Sequence, residues 1–140
     1  MYPNEAEKLN LDWRFAGTSI DTILYVGLCN RGVGLEDEAD DMAAVGALEM
    51  SGSGYARVAV KNGDATTYSM IISAVGGDYQ AKTPTLTFTA VGGDIGPFTH
   101  MFLTNKSDNT GKLMNIVDFG EEITIDDGKS FECSIYERNS

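Results

Sequence analysis

Ser51-Gly-Ser-Gly-Tyr-Ala-Arg-Val-Ala-Val-Lys61 joins a glycine-rich turn directly to a segment of alternating side chains. Gly52 and Gly54 accept a positive φ without steric cost, so the chain can reverse there. Beyond the turn, Tyr55, Arg57 and Ala59 fall on one face and Ala56, Val58 and Val60 on the other, the period of two that a strand imposes. One face is apolar and the other mixed, which makes the stretch a turn leading into a sheet. Tyr55 and Arg57 form an amphipathic pair suited to a contact surface, although a strand facing solvent carries the same pattern.

Working outward, Asn62-Gly63 is the strongest two-residue hairpin signal in the chain, and a further strand is expected over Thr66–Val75. Upstream, Thr22-Ile-Leu-Tyr-Val-Gly-Leu-Cys29 is rich in β-formers and apolar on both faces, as in a central strand covered on both sides. Downstream, Thr85-Leu-Thr-Phe-Thr-Ala-Val91 sets Leu86, Phe88 and Ala90 on a core face with threonines opposite. Gly96–Thr104 reads as a two-sided apolar strand, and Lys112–Phe119, Glu122–Asp126 and Ser130–Tyr136 as three more. Lys106–Gly111 and Asp127-Gly128 are turns between them. The run Ala-Val-Gly-Gly-Asp occurs at Ala74–Asp78 and again at Ala90–Asp94, sixteen residues on. That period is too short for the common solenoid repeats, so the two copies read as similar turns. About eight or nine short strands at this spacing predict an all-β fold, a compact antiparallel β-sandwich or jelly-roll-like domain.

The domain is expected over residues 21–140, preceded by an N-terminal arm over residues 1–20. In the arm Leu9, Leu11, Trp13 and Phe15 alternate with polar residues, predicting a first strand or an extended arm that lays its apolar face on another subunit. Trp13 is the sole tryptophan, and tryptophan and arginine are enriched at the energetic centres of interfaces. Trp13, Arg14 and Phe15, with Tyr55 and Arg57, are therefore the interface candidates, core packing being the competing role. Five of the six residues from Glu36 to Asp41 are acidic, and Ala39, Met42 and Ala43 share a helical face, so a short helix or loop excursion is expected there. The run lacks the ligand spacing and internal glycine of a calcium loop and reads as solvated.

Composition narrows the functional classes. A chain of 140 residues with 42% hydrophobic and 22% charged residues can bury a core without disulfides or metal. Ten basic against 21 acidic residues give a net charge of −11, which repels phosphate backbones and anionic lipids. Neither nucleic acid nor membrane is an expected partner. No basic segment leading into an apolar run opens the sequence, and no run of about 18 apolar residues occurs, so neither secretion by that route nor membrane spanning is expected. Cys29 and Cys133 lack metal-ligand spacing and read as buried thiols. His100 is the only histidine, which excludes a metal site of histidine type and leaves a packed or interface side chain. Any serine or cysteine nucleophile would have to use this same imidazole, whose neighbours in sequence are hydrophobic. No Gly-x-Ser-x-Gly motif, phosphate-binding loop or dinucleotide fingerprint is present, and Glu121-Glu122 and Asp126-Asp127 sit at turns. The expectation is a protein that is not an enzyme, with no catalytic residue, no cofactor and no metal.

Leu24-Tyr-Val-Gly-Leu28, Gly52-Ser-Gly-Tyr-Ala-Arg-Val-Ala-Val60, Leu86-Thr-Phe88, a Gly-Gly-Asp turn and Phe98-Thr-His-Met-Phe-Leu103 follow one another in this order. Together they resemble a family of small phage virion structural proteins, often labelled tail-fibre-like, over residues 22 to 136. The resemblance implies an all-β module that assembles as a homotrimer on the virion, either decorating or cementing the capsid or belonging to tail or fibre parts. The chain has no long repetitive shaft, which favours a capsid decoration or cement protein. On that reading it is made in the host bacterial cytoplasm, is carried on the virion, and binds the major capsid protein or other virion proteins through its arm and sheet edges. The alternatives are a tail or fibre component, or a β-sandwich module that binds a host glycan or receptor with Tyr79 as an aromatic platform.

Overall fold

The computed structural model describes residues 3–15, 23–61, 71–75 and 78–139. The predicted hairpin at Asn62-Gly63 and the first half of the strand expected over Thr66–Val75 lie outside them. The described residues hold α1 (Asn4–Phe15), β1 (Ile23–Cys29), α2 (Met42–Gly46), β2 (Val58–Lys61), β3 (Ile71–Val75), β4 (Asp78–Lys82), β5 (Leu86–Thr89), β6 (Ile95–Thr104), β7 (Leu113–Ile125), β8 (Ser130–Cys133) and β9 (Tyr136–Asn139). Every strand pairing is antiparallel, and the chain is mostly β, as its sequence predicts.

The main sheet has the order β2-β1-β6-β7. β1 is central, with Leu24 opposite Val60 on one side and Val26 opposite Leu103 on the other. Leu24, Val26 and Leu28 point to one face and pack with Val60, Leu86, Phe88, Phe98 and Leu103. Cys29 and Phe102 point to the opposite face and pack with Leu113, Ile116, and Met42 and Val45 of α2. Both faces are covered, which is why β1 and β6 read as apolar throughout rather than alternating. β5 shows the alternation of a one-sided strand, with Leu86 and Phe88 buried and both threonines exposed. Phe98, Phe119 and Phe131 meet edge to face, their ring centroids 5.3 to 5.9 Å apart.

The ladders β4/β9 and β5/β8 run into one another. Lys82 pairs with Tyr136 and Leu86 with Cys133, and between them Thr83 N donates to Ile135 O while Ile135 N donates to Thr83 Oγ1. They are two parts of one antiparallel ribbon, interrupted at Pro84, which has no N–H to give to a ladder. The two Ala-Val-Gly-Gly-Asp copies each join consecutive strands, β3 to β4 and β5 to β6.

The N-terminal segment differs from expectation. Asn4–Phe15 is a helix, not a strand or an extended arm. Ala6 N and Glu7 N donate to Pro3 O to open it, Glu5 and Glu7 lie in its first turn, and Lys8 pairs with Asp12 one turn on at 2.7 Å. Asn4 N donates to Glu38 O, and a carboxylate oxygen of Glu5 accepts from Leu113 N at 2.8 Å, so the helix is fastened to the acidic loop and to the start of β7. The acidic run forms the expected loop excursion with a short helix after it, but not all of it is solvated. The helix it was expected to open begins only at Met42, capped by Asp41, whose side chain accepts from Ala44 N. Asp40 is buried and paired with Arg31 rather than solvated.

Candidate functional site

Two polar networks are built around the main sheet. The first contains the sequence-selected pair Tyr55 and Arg57. Strand β2 begins only at Val58, so Tyr55 occupies the edge of β1 that β2 leaves uncovered. There its hydroxyl accepts from Leu28 N at 2.9 Å and donates to Glu49 Oε2 at 2.6 Å, while its ring stacks on Phe88. The close approach requires glycine at position 27, where a Cβ would collide with the Phe102 ring and the Tyr55 hydroxyl. Burial, and then the hydrogen bond to Glu49, push the Tyr55 phenol well above its ordinary range.

Arg57 lies over the Phe102 ring, 5.2 Å from its centroid, with a side chain only 7% exposed. Nε and Nη2 donate to the two carboxylate oxygens of Glu49 at 2.9 and 2.8 Å. Nη1 donates to Lys106 O and Asp108 O, and Nη2 also to Asn109 Oδ1. A guanidinium has five N–H donors, and all of them are used within the chain. Arg57 thus clasps the 105–109 loop to the sheet. Trp13, Arg14 and Phe15 form the last turn of α1, and their side chains lie outside the described part of the structure.

The second network surrounds His100, which is fully buried in β6. A register shift between Phe98 and His100 sends Phe98 to the aromatic cluster and places His100 directly opposite Asp118 of β7. Glu36 arrives from the acidic loop, and Nε2 lies 2.8 Å from its Oε2 and 3.7 Å from Asp118 Oδ1. Facing an ionised carboxylate, Nε2 carries the ring hydrogen and donates it to Glu36. On the other side Nδ1 is 2.7 Å from Thr99 Oγ1, which accepts from Gly32 N at 3.1 Å. The Asp118 carboxylate accepts from Gly120 N through Oδ1 and from Gly34 N through Oδ2, both at 2.8 Å. The Gly120 and Gly34 N–H groups, with the nearby imidazole, hold this carboxyl below its usual range.

Thr99, His100 and Glu36 have the connectivity of a hydroxyl, base and acid relay. The Thr99 residue is only 1% exposed and its oxygen already holds an amide, so the geometry offers a substrate no approach to it. A cleft of about 120 Å³ lies instead beside α1, lined by Glu5, Lys8, Leu9, Asp12 and Lys112. Its cations pair with its own acids, Lys8 with Asp12 and Lys112 with Glu5. Among the described residues, Glu36, His100 and Asp118 form the group of His, Cys, Asp or Glu side chains whose ligand atoms converge, all within 4.8 Å of one another.

The sequence left His100 as a packed or interface side chain; it is fully buried, and its two carboxylate neighbours were not foreseen. Asp118 shares β7 with Asn115, Glu121 and Glu122, so no local pattern marked it out. In comparisons with known proteins, no family model, no characterised protein and no solved structure matches this chain.

Proposed function

We propose that the chain is a non-enzymatic structural protein of a bacteriophage virion, a β-sandwich or jelly-roll-like unit that decorates or cements the capsid by binding neighbouring capsid subunits. It works as a homotrimer, is made in the bacterial cytoplasm, and uses no cofactor. The observation that carries this reading is the exposure of large apolar side chains on backbone that is fastened in place. Leu35 is 61% exposed and Val33 stands close by, in a loop pinned by Gly32 N to Thr99 Oγ1 and by Gly34 N to Asp118. Val91 is 64% exposed in a turn held by Val91 N to Ser53 O and Gly92 N to Asp127. Apolar groups presented on fixed segments lose little conformational entropy when a partner covers them, and many such modest contacts add up when copies are arrayed on a particle.

The test is light scattering of the purified protein beside co-sedimentation with empty capsids and with isolated tails. A trimer that sediments with capsids, and whose Leu35→Asp and Val91→Asp variants remain folded trimers but stay in the supernatant, meets the expectation. Sedimentation with tails alone transfers the protein to the tail or fibre. A monomer that ignores both particles overturns the proposal.

A further inference from the structure

We propose that Glu36, His100 and Asp118 bind a divalent transition-metal cation of the zinc type, with the imidazole Nε2 and one oxygen of each carboxylate as ligands. The inference is independent of any role on a virion. Its first support is spacing. Tetrahedral zinc holds nitrogen and oxygen ligands at about 2.0–2.2 Å, which places ligand atoms about 3.3–3.5 Å from one another. The distances from Nε2 to the two carboxylate oxygens, 2.8 and 3.7 Å, fall on either side of that range. The three ligand atoms lie within 4.8 Å of one another, so carboxylate movements of up to about an ångström, in side chains that are 19% and 21% exposed, bring them to that spacing. That same partial exposure leaves the two carboxylates in contact with solvent.

The second support is the outer ring of contacts, which is already built. A metal-bound imidazole needs an acceptor for its other N–H, and Thr99 Oγ1 stands 2.7 Å from Nδ1. Gly32 N orients that hydroxyl, and Gly120 N and Gly34 N orient the Asp118 carboxylate. Both carboxylates retain unused lone pairs. On metal binding Nε2 exchanges its hydrogen, through solvent, for the cation, and Nδ1 carries the ring hydrogen and donates it to Thr99 Oγ1.

Charge and donor type point the same way. Two carboxylates flank the ring, and Arg31, the cation on the same loop, is already committed to Asp40. A divalent cation cancels the two charges. One imidazole and two carboxylates suit zinc, cobalt, nickel or manganese rather than copper(I), which prefers sulfur. The absence of a second histidine, which excluded a site of histidine type in the sequence, is met by carboxylates from a distant loop and the neighbouring strand. A bound ion would tie the loop carrying Glu36 to both β6 and β7.

The experiment uses the full chain stripped with a chelator and dialysed. Zn²⁺ is titrated by calorimetry and Co²⁺ by visible absorption, and the ring nitrogens of the single histidine are followed by long-range ¹H–¹⁵N correlation. The expected result is one ion per chain, a shift of the ring from the Nε2–H to the Nδ1–H tautomer at saturation, and at least tenfold weaker binding in Glu36→Gln and in Asp118→Asn. Glu36→Gln keeps an oxygen to accept from Nε2–H, so it retains the fold, which circular dichroism without metal verifies. Asp126→Asn, at an exposed turn, leaves affinity unchanged. The proposal is overturned if no ion binds at millimolar concentration, if the two variants bind as tightly as the parent, or if saturating Zn²⁺ leaves the ring tautomer where it was.

Discussion

Arg57 spends every donor it has inside the chain, joining Glu49 to the loop carrying Lys106, Asp108 and Asn109. Its partner Glu49 also accepts from the Tyr55 hydroxyl, so removing the guanidinium strands a largely buried carboxylate beside a phenol. Breaking one side of a buried pair costs about 3–5 kcal/mol because the remaining charge is uncompensated. Arg57→Ala is therefore expected to lower unfolding stability by about 3 kcal/mol in urea titrations. Arg57→Lys, which keeps the charge and loses the planar fork, should lose roughly half as much. Because the two side chains share one network, Arg57→Ala combined with Glu49→Gln should be destabilised by less than the sum of the single changes. Additive effects would mean the clasp is not a unit. The sequence singled out Tyr55 and Arg57 as an amphipathic pair suited to a contact surface. It could not show that their partners are Glu49 and the carbonyls of a loop about fifty residues away, since only the folded sheet brings these together.

The elements were legible where one periodicity dominated and local propensity agreed with it. β5 alternates in burial as its threonines and apolar residues require, and β1 is central because both of its faces are apolar. α1 was misread because Leu9, Leu11, Trp13 and Phe15 fall two apart by chance, while Glu5, Ala6, Glu7 and Lys8 just before them and Leu9 and Leu11 themselves are good helix formers. Helical spacing accounts for the burial: Ala6 is buried and Leu9 half-buried one turn apart, while Leu11, off that face, is 56% exposed. The helix is held to β7 through Glu5, whose carboxylate satisfies Leu113 N and lies 3.4 Å from Lys112 Nζ. Glu5→Ala leaves that amide without its acceptor, at a cost of about 1–2 kcal/mol. Amide exchange at Leu113 and along α1 should then accelerate together, with the β1/β6 amides unaffected. Unchanged exchange in α1 would show that the Glu5 contact does not anchor it.

Across the whole molecule, the sequence displayed the antiparallel β class but not which strand meets which. The ribbon that pairs residues 79–89 with 130–139, and the carboxylates that flank His100, are joined by separations of tens of residues that no local pattern encodes. The same long-range packing buries the Cys29 thiol and partly buries that of Cys133, both of them free, and so sets how the fold responds to alkali. Burial raises the Cys29 thiol from 9.0 to about 12, assisted by Glu49 and Asp40, and raises Cys133 to about 11. Below pH 9 both thiols are protonated whether the chain is folded or not, so their contribution is fully present. Between pH 9 and the folded values only the unfolded chain loses these protons, and stability must fall as pH rises. At pH 11, two units above the unfolded value, Cys29 alone accounts for a loss on the order of 2–3 kcal/mol. Other groups also titrate there, Tyr55 among them, so the informative quantity is a difference. Urea unfolding of the parent and of Cys29→Ala/Cys133→Ala from pH 8 to 11 should show the parent declining more steeply, although the variant starts lower for want of the two sulfur atoms. Parallel curves would mean that the thiols ionise in the folded protein as they do in water. In that case Cys29 is less enclosed by Met42, Val45 and Phe102 than their packing requires.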